Sequence, residues 1–295
     1  MHRLTILFCG ATGRFGPLTS LLRDRGHRVL ATTRVPASAA ARRLTQRGAE
    51  IVRADFDDVV SLAAAARQAD AIVAAGTAHA AGPAADGRHG RNIIDAAKAA
   101  EVNHLVYITV ADADRPTGVP ILDSKHAVEQ YLRSSGVPHT IVAPVYLMEN
   151  LWNPWNAAAL DAGLLPSPVS PSRLLQQIPV ADVLAFTARV LESRDDMLAE
   201  RIEIASDEVS AEQAARIVSR LLGRQVAVAD HLAGPPNPLF TRLEEVGTAV
   251  DIAALRRRHP DLVWHTFADW ALTQDWGRLK EGDVPPGCDT EVGGW

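Results

Sequence analysis

Three glycines, Gly10, Gly13 and Gly16, stand in the stretch GATGRFG, directly after an apolar run and directly before a helix-like pattern. In a strand–turn–helix, such glycines permit a tight turn, let a pyrophosphate approach the backbone, and let the helix pack closely on the strand. The alternative is an ordinary glycine turn without a ligand. Because the turn joins the first strand to the first helix, we favour a dinucleotide. The expected contacts in this turn are Gly10, Thr12, Gly13, Arg14, Phe15 and Gly16.

The end of the second predicted strand bears on which dinucleotide is bound. Proteins that select NAD usually place Asp or Glu there to hold the ribose 2′-hydroxyl, whereas this chain reads LATTRVP, with Arg34 and no acid. A guanidinium can hold a 2′-phosphate through paired charged hydrogen bonds. Arg42 and Arg43 on the next helix add positive charge. The alternative is that Arg34 is a solvated surface residue; we predict NADP(H) in preference to NAD(H).

The third predicted strand ends in VRADFDD. Asp55 is placed to meet the edge of the adenine ring, with Phe56 beside it. Asp55 could equally cap the following helix. Both residues are therefore candidate cofactor contacts, with the helix-cap interpretation of Asp55 left open.

Short apolar runs alternate with Ala-rich amphipathic stretches through the first half of the chain. This alternation predicts βαβ units and an α/β fold, a doubly wound parallel sheet of Rossmann type. The strands are expected at 4–9, 28–32, 50–52, 71–75, 105–109 and 140–143. After Pro144 the chain becomes rich in Trp, Pro and Asn, so we expect a dinucleotide-binding domain over 1–150 and a smaller C-terminal α/β substrate lobe over 151–295, interleaved with the sheet edge.

Taken together, GATGRFG, TTR, ADFDD, GRNIIDAAKAAEVNHLVYITV, SKHAVEQYLRSSGVPHTIVAPVYLMEN and IPVADV resemble the NmrA-like branch of the atypical short-chain dehydrogenases/reductases. Typical short-chain dehydrogenases carry Tyr-x-x-x-Lys, in which the tyrosine supplies a proton and the lysine holds the ribose. The resemblance matches the lysine to Lys125, but Ile121 stands where the tyrosine would be. Isoleucine cannot donate a proton, so the usual relay cannot operate from that position.

The resemblance makes Lys125 the main catalytic candidate. Its ammonium could polarise a substrate carbonyl or exchange a proton, or it could only anchor the nicotinamide ribose. Tyr146, which follows the sixth strand, is the second catalytic candidate and a cofactor contact. Open α/β sheets bind ligands at the carboxyl ends of their strands. The further cofactor contacts expected there are Ala75, Gly76, Thr77 and Pro144.

The substrate pocket is expected to involve Thr109, Met148, Asn150, Trp152 and Trp155. Thr109 could orient a substrate oxygen or serve only the structure of its strand end. Trp152 and Trp155 could line an aromatic pocket or cap a core, and we favour the pocket because the segment follows the strand ends. Trp264, Trp270 and Trp276 are spaced as core anchors of a C-terminal helix.

These residues and the resemblance together predict an NADPH-dependent reductase of a small, aromatic or quinone-like substrate, stacked on the nicotinamide beneath the 146–170 segment. One alternative is a non-catalytic NADP(H)-binding redox sensor or regulator. Another is an isomerase, epimerase or dehydratase of specialised metabolism.

The bulk composition argues against several other classes. The 295 residues carry a net charge of -5, which disfavours broad nucleic-acid binding. The apolar run at residues 4–9 is short and no later run is long, so we expect neither a signal peptide nor a membrane span. Its two cysteines, Cys9 and Cys288, are expected as free thiols in a reducing compartment. We therefore expect a cytoplasmic monomer or homodimer that binds a small molecule and no metal, nucleic acid or membrane.

Overall fold

A computed structural model describes residues 3–229 and 237–276, without the side chains of residues 78–80. The chain divides into two compact units. The first unit comprises Met1–Ala143 with Leu184–Glu203, and the second comprises Pro144–Val183 with Ile204–Trp295.

The strands, in chain order, are β1 Thr5–Cys9, β2 Arg28–Thr33, β3 Glu50–Arg53, β4 Ala71–Ala75, β5 His104–Ile108, β6 His139–Pro144, β7 Tyr146–Leu147, β8 Leu164–Leu165, β9 Leu174–Ile178, β10 Arg201–Ile204, β11 Asp207–Ser210 and β12 Ala227–Val228. The helices are α1 Leu18–Asp24, α2 Ala39–Gln46, α3 Val59–Ala66, α4 Ala78–Ala99, α5 Pro120–Ser135, α6 Ala157–Asp161, α7 Val180–Glu192, α8 Arg194–Met197, α9 Ala211–Leu222, α10 Pro238–Glu245, α11 Ile252–Arg258 and α12 Phe267–Leu272. Two 3₁₀ turns, Met148–Trp152 and Pro154–Asn156, precede α6.

The first unit is built on a seven-stranded sheet with the order β10-β6-β5-β4-β1-β2-β3. The first six strands therefore stand in the order 3-2-1-4-5-6, and all five neighbouring pairs among them are parallel. This is the doubly wound order, in which the chain reverses direction across the sheet between β1 and β4. The predicted Rossmann-type sheet is confirmed.

Local signals set the ends of the helices that flank this sheet. Gly26, Gly48 and Gly136 follow helices and have positive φ, the conformation in which glycine commonly ends a helix. Pro120 stands at the first position of α5, where a missing N–H costs little, and Gly136 ends the same helix in the left-handed conformation. These two residues define the helix that carries Lys125.

The boundary between the units differs from the expected one at residue 150. The second unit already begins at Pro144, because the chain leaves the parallel sheet at the end of β6. The segment Leu184–Glu203 then returns to the first unit, where β10 forms the sheet's seventh strand. A split at one point along the sequence cannot describe this crossing.

The second unit contains a three-stranded sheet, β11-β9-β7, and a two-stranded one, β12-β8. Ser210 is the N-cap of α9, with a capping box to Gln213. Of the three tryptophans expected as core anchors, Trp270 and Trp276 are buried in the unit's core with Phe267, whereas Trp264 is half-buried and outside that cluster. No helix among the described residues is long and apolar enough to cross a bilayer.

Cys9 and Tyr107 carry polar groups within the apolar core of the first unit. Cys9 is a buried free cysteine, and burial raises the pKa of its thiol to about 12. The Tyr107 hydroxyl is buried on β5 and has no hydrogen-bond partner among the described residues, and burial raises the pKa of this phenol well above its usual value. Cys288 lies outside the described residues.

We predict that Tyr107→Phe raises the free energy of unfolding by about 1 kcal/mol, because the variant removes a buried hydroxyl that has no partner. Urea denaturation of the variant and the wild type measures the difference. Tyr131→Phe is the matched control, since the Tyr131 hydroxyl donates to Asp95 at 2.6 Å and its loss should lower stability or leave it unchanged. A Tyr107→Phe protein less stable than the wild type would show that the hydroxyl is satisfied.

Candidate functional site

In the glycine turn after β1, backbone oxygens lie so close to two of the three glycines that a side chain there would meet them. Gly10 has a φ of +97°, and a Cβ there would lie 3.1 Å from the Ala75 carbonyl oxygen at the end of β4. At Gly16 a Cβ would lie 2.6 Å from the Ala11 carbonyl oxygen, which excludes any side chain. Gly13 is exposed, and a Cβ there would meet only the Gly10 carbonyl oxygen, at 3.4 Å.

The same turn leaves backbone donors available. Within the described residues, the N–H groups of Thr12 and Phe15 donate to no acceptor, whereas those of Gly13 and Gly16 close turns onto Gly10 and Gly13. Thr12 is exposed and Phe15 half-buried. The turn therefore offers unpaired N–H groups beside an uncovered glycine, an arrangement that suits an anion.

Arg34 follows β2 and is exposed. In the described part of the chain it forms neither a hydrogen bond nor an ion pair, so its guanidinium is free to bind a ligand. Arg43 is exposed too, while Arg42 donates to the Ala37 carbonyl oxygen at 2.6 Å. The geometry suits a 2′-phosphate at Arg34 and equally suits a solvated arginine, the two interpretations that the sequence leaves open.

The sequence allows two roles for Asp55, a contact to adenine and an N-cap, and the segment after β3 shows which residue is the cap. Asp58, not Asp55, is the N-cap of α3, and it accepts from the N–H groups of Val60 and Ser61. Asp55 accepts from the Asp57 N–H at 3.0 Å and so closes a turn. Asn92 on α4 donates to the Phe56 carbonyl oxygen at 2.7 Å, which fixes Phe56 next to α4.

Lys125 on α5 forms a buried ion pair with Asp86 on α4, with 3.0 Å between Nζ and Oδ2. The Asp86 side chain is 1% exposed and that of Lys125 10% exposed. A Cβ at Gly76 would lie 2.2 Å from the lysine Nζ and 2.9 Å from Asp86 Oδ1. The ion pair thus occupies the space that a side chain at Gly76, directly after β4, would fill.

Asp86 is further tied to the end of β4. Its Oδ1 accepts from the Thr77 N–H at 2.5 Å. The Thr77 hydroxyl lies 2.8 Å from Nδ1 of His89, which is buried on α4. His89 packs edge-on against Phe56, with 5.7 Å between ring centroids. The structure therefore brings three predicted cofactor contacts, Gly76, Thr77 and Phe56, next to Lys125 or its partners.

Thr109 lies in a different cluster of the first unit. Its hydroxyl donates to Glu129 Oε1 at 2.8 Å, and Arg201 donates to Oε2 of the same carboxylate at 2.8 Å. Burial raises the pKa of Glu129, and Arg201 opposes that rise. Because Thr109 is buried with this contact, it fits the structural role that the sequence leaves open rather than a substrate contact.

The second unit contains an apolar pocket near β7. Two predicted residues line it, Tyr146 and Met148, with Phe267 of α12. None of the residues found to line it is charged. The other members are Leu151, Leu165, Pro166, Ser167, Pro168, Leu175, Gln177, Val209, Ala211 and Ala214.

Three predicted pocket residues lie elsewhere in the second unit. Trp152 packs on Trp276, with 5.1 Å between ring centroids, and its indole N–H donates to Gln274. It belongs to the rim of the core, the alternative that we did not favour. Trp155 is 51% exposed. Asn150 accepts from Asn156 through its backbone and is not part of the pocket lining.

The family of the chain follows from its overall sequence. The model of the NmrA-like family matches residues 2–253. This chain belongs to the NmrA-like family. Among the described residues of this member, no three His, Cys, Asp or Glu side chains come together as metal ligands would.

Curated relatives of this NmrA-like protein include reductases. A (4-alkanoyl-5-oxo-2,5-dihydrofuran-3-yl)methyl phosphate reductase of Streptomyces griseus is 29% identical over 292 residues, which cover 95% of this chain and 90% of the relative. Quinone oxidoreductase 2 of Escherichia coli is 29% identical over 190 residues, 63% of each chain. The chain spans only 44–63% of the length of four curated relatives, this one included.

Solved structures of NmrA-like proteins share the fold. The NADPH complex of an NADPH-dependent quinone oxidoreductase of Escherichia coli has a TM-score of 0.74 at 24% identity, covering 90% of this chain and 98% of that one. A negative transcriptional regulator, NmrA, in complex with NADP has a TM-score of 0.68 at 19% identity, covering 95% of each chain. At these identities the likeness concerns the fold.

Sequence reasoning missed Asp86 and His89. Asp86 lies 39 residues before Lys125, and no motif links the two. The sequence does place both residues in the helix after β4, and the end of β4 holds the expected cofactor contacts Ala75, Gly76 and Thr77. That position is the signal that could have indicated them. His89 lies on α4, and no motif in the sequence marks it.

Gly76→Ala is predicted to lower the free energy of unfolding by about 2–4 kcal/mol, because its Cβ displaces the Lys125 ammonium and leaves Asp86 buried without its partner. Gly87→Ala on α4 is the control. A Cβ there meets nothing within 4 Å, so helix propensity should raise stability by about 0.5–1 kcal/mol. Urea unfolding of both variants tests the pair. Equal stabilities would mean that the ion pair does not depend on Gly76.

Proposed function

We propose that this NmrA-like protein is an NADPH-dependent reductase of a small, uncharged, aromatic or quinone-like substrate. One observation carries the proposal. Three parallel strands, β1, β2 and β4, end at the same edge of the sheet, where the open glycine turn, the unpaired Arg34 and the Lys125–Asp86 pair over Gly76 follow them. Doubly wound sheets bind nucleotides at this position.

The residues present fit a dinucleotide. The free N–H groups of Thr12 and Phe15 and the uncovered Gly13 suit a pyrophosphate, which needs donors and close approach to the backbone. Arg34 suits the 2′-phosphate that distinguishes NADP(H) from NAD(H), since it has no competing partner in the described structure. Phe56, held through Asn92, offers an apolar surface for adenine.

When bound, the cofactor supplies a hydride to the substrate. The chain's own residues must then stabilise and protonate the reduced substrate. Ile121 precedes Lys125 by one turn of α5 and offers no proton. The Lys125 ammonium is the positioned proton donor of this site, because Asp86 holds it buried beside the end of β4.

The uncharged lining of the pocket in the second unit supports the substrate class. Tyr146 and Gln177 supply polar atoms on an otherwise largely apolar surface, which suits a neutral ring system better than a phosphate ester. The relatives named above act on a methyl phosphate ester and on quinones, and the quinone fits this uncharged lining better.

The proposal is tested by titrating the purified protein with NADPH and NADH, followed by nicotinamide fluorescence, and then measuring NADPH oxidation with benzoquinone and naphthoquinone. Preferred NADPH binding with quinone turnover supports the reductase. Binding without turnover on any quinone would favour the sensor or regulator; the structural neighbour NmrA is a negative transcriptional regulator. Substrate conversion without net NADPH oxidation would favour the isomerase, epimerase or dehydratase.

Arg34→Ala is expected to weaken NADPH binding about tenfold to a hundredfold and NADH binding little, because charged hydrogen bonds to the 2′-phosphate are lost. Fluorescence titration measures both dissociation constants. Arg43→Ala on the exposed side of α2 is the matched charge control and should shift both constants by a small, equal factor. Equal losses for NADPH and NADH at Arg34 would refute the 2′-phosphate assignment.

For Lys125→Met we expect quinone turnover to fall at least about tenfold, since the proton donor is removed. The double variant Asp86→Asn/Lys125→Met also removes the buried carboxylate, so it should fold more stably than the single variant and remain as inactive. Lys98→Met, at an exposed position on α4, should turn over normally. Full activity in Lys125→Met would exclude this lysine from the reaction.

A further inference from the structure

A proton donor must be reloaded after each turnover. Lys125 is 8% exposed and its ammonium faces Asp86, so its direct access to solvent is small. The missing tyrosine removes the usual partner for proton transfer. The question is therefore whether the structure connects Lys125 to water by another route.

The first half of such a route consists of Asp86 and Thr77. Asp86 Oδ2 is 3.0 Å from the Lys125 Nζ, and the other oxygen, Oδ1, is 3.5 Å from the Thr77 hydroxyl. A carboxylate with one oxygen on each neighbour can accept a proton on one side and release it on the other. The Thr77 hydroxyl can both donate and accept.

The second half consists of His89 and Asp57. The Thr77 hydroxyl is 2.8 Å from His89 Nδ1, and His89 Nε2 is 3.4 Å from Asp57 Oδ1. Asp57 has 48% of its side chain exposed. The Nε2 atom is buried and makes no hydrogen bond in the described structure, although buried ring nitrogens are usually satisfied.

We propose that Asp86, Thr77 and His89 form a proton relay that connects Lys125 to solvent at Asp57. This inference rests on the proposed reductase function. It accounts for three features together: the buried carboxylate between lysine and threonine, the histidine at the threonine hydroxyl, and the unsatisfied Nε2 that faces the exposed carboxylate.

The relay balances as follows for a carbonyl substrate. The hydride adds to the substrate with its electron pair, the C=O π pair moves to oxygen, and this oxygen takes a proton from the Lys125 ammonium. The Asp86 carboxylate then takes a proton from the His89 imidazolium through the Thr77 hydroxyl, which accepts one proton as it gives another. The Asp86 carboxyl group passes this proton to the neutral Lys125 amine, which restores the ion pair. His89 takes its proton from water beside Asp57, so one solvent proton is consumed for each hydride.

His89→Ala and His89→Gln test the relay. At saturating NADPH both should lower kcat for quinone reduction about tenfold or more while KM for the quinone stays unchanged, because proton delivery is lost. Since His89 also packs on Phe56, the NADPH dissociation constant of each variant is measured to separate a loss of cofactor binding. Added imidazole should restore kcat in His89→Ala, whose cavity opens beside exposed Asp57, and not in His89→Gln, where the amide fills the space. His126→Ala is the matched control, since His126 contacts the Ala113 carbonyl oxygen and stands outside the relay.

A readout independent of activity comes from ¹⁵N NMR of the histidine rings in the protein without nucleotide. Thr77→Val should change the tautomer populations of His89, whereas Thr77→Ser should preserve them, because serine retains the hydroxyl at Nδ1. Thr77→Val should also lower kcat and Thr77→Ser should recover it.

The outcomes separate the two proposals. Normal kcat in His89→Gln, or a fall in kcat that imidazole does not restore in His89→Ala, would overturn the relay and leave the reductase intact. Absence of quinone turnover in the wild type, with every NADPH control satisfied, would overturn the reductase and the relay with it.

Discussion

The buried ion pair between Lys125 and Asp86 is the interaction on which the candidate site depends. A lone buried charge is costly, so each partner requires the other, and together they hold α4 and α5 against the end of β4. The pair fits only because Gly76 carries no side chain. Asp86 also accepts from the Thr77 backbone and lies beside the Thr77 hydroxyl, so the end of β4 belongs to the same polar cluster.

The parallel sheet makes this arrangement possible. All strand ends from β1 to β6 that bear candidate residues lie at one edge, because parallel pairing aligns their carboxyl ends. The glycine turn is joined to β4 through the close approach of Gly10 to Ala75. The proposed nucleotide site at the turn and the Lys125 ammonium beside the end of β4 therefore belong to one surface of the first unit, which is why binding and chemistry are proposed together.

Much of this could be predicted from the sequence, because the signals are local. The six expected strands, β1 to β6, lie within one residue of their expected ends, and Gly136 and Ser210 stand at the ends of α5 and α9 that suit their residue types. Contacts between distant positions could not be predicted. The contact of Asp86 with Lys125 depends on how α4 packs on α5, and that of Thr109 with Glu129 depends on how α5 packs at the end of β5. The surroundings of Trp152 could not be predicted either, because the rim of a core and a ligand pocket favour the same aromatic residues.

The most direct test of the account is backbone amide exchange measured with and without saturating NADPH, with NADH as the comparison. The account predicts slower exchange in residues 10–16 and 75–77 with both nucleotides, and slower exchange around residue 34 with NADPH alone. Unchanged exchange at the glycine turn and at the end of β4 would contradict a nucleotide site at this edge of the sheet.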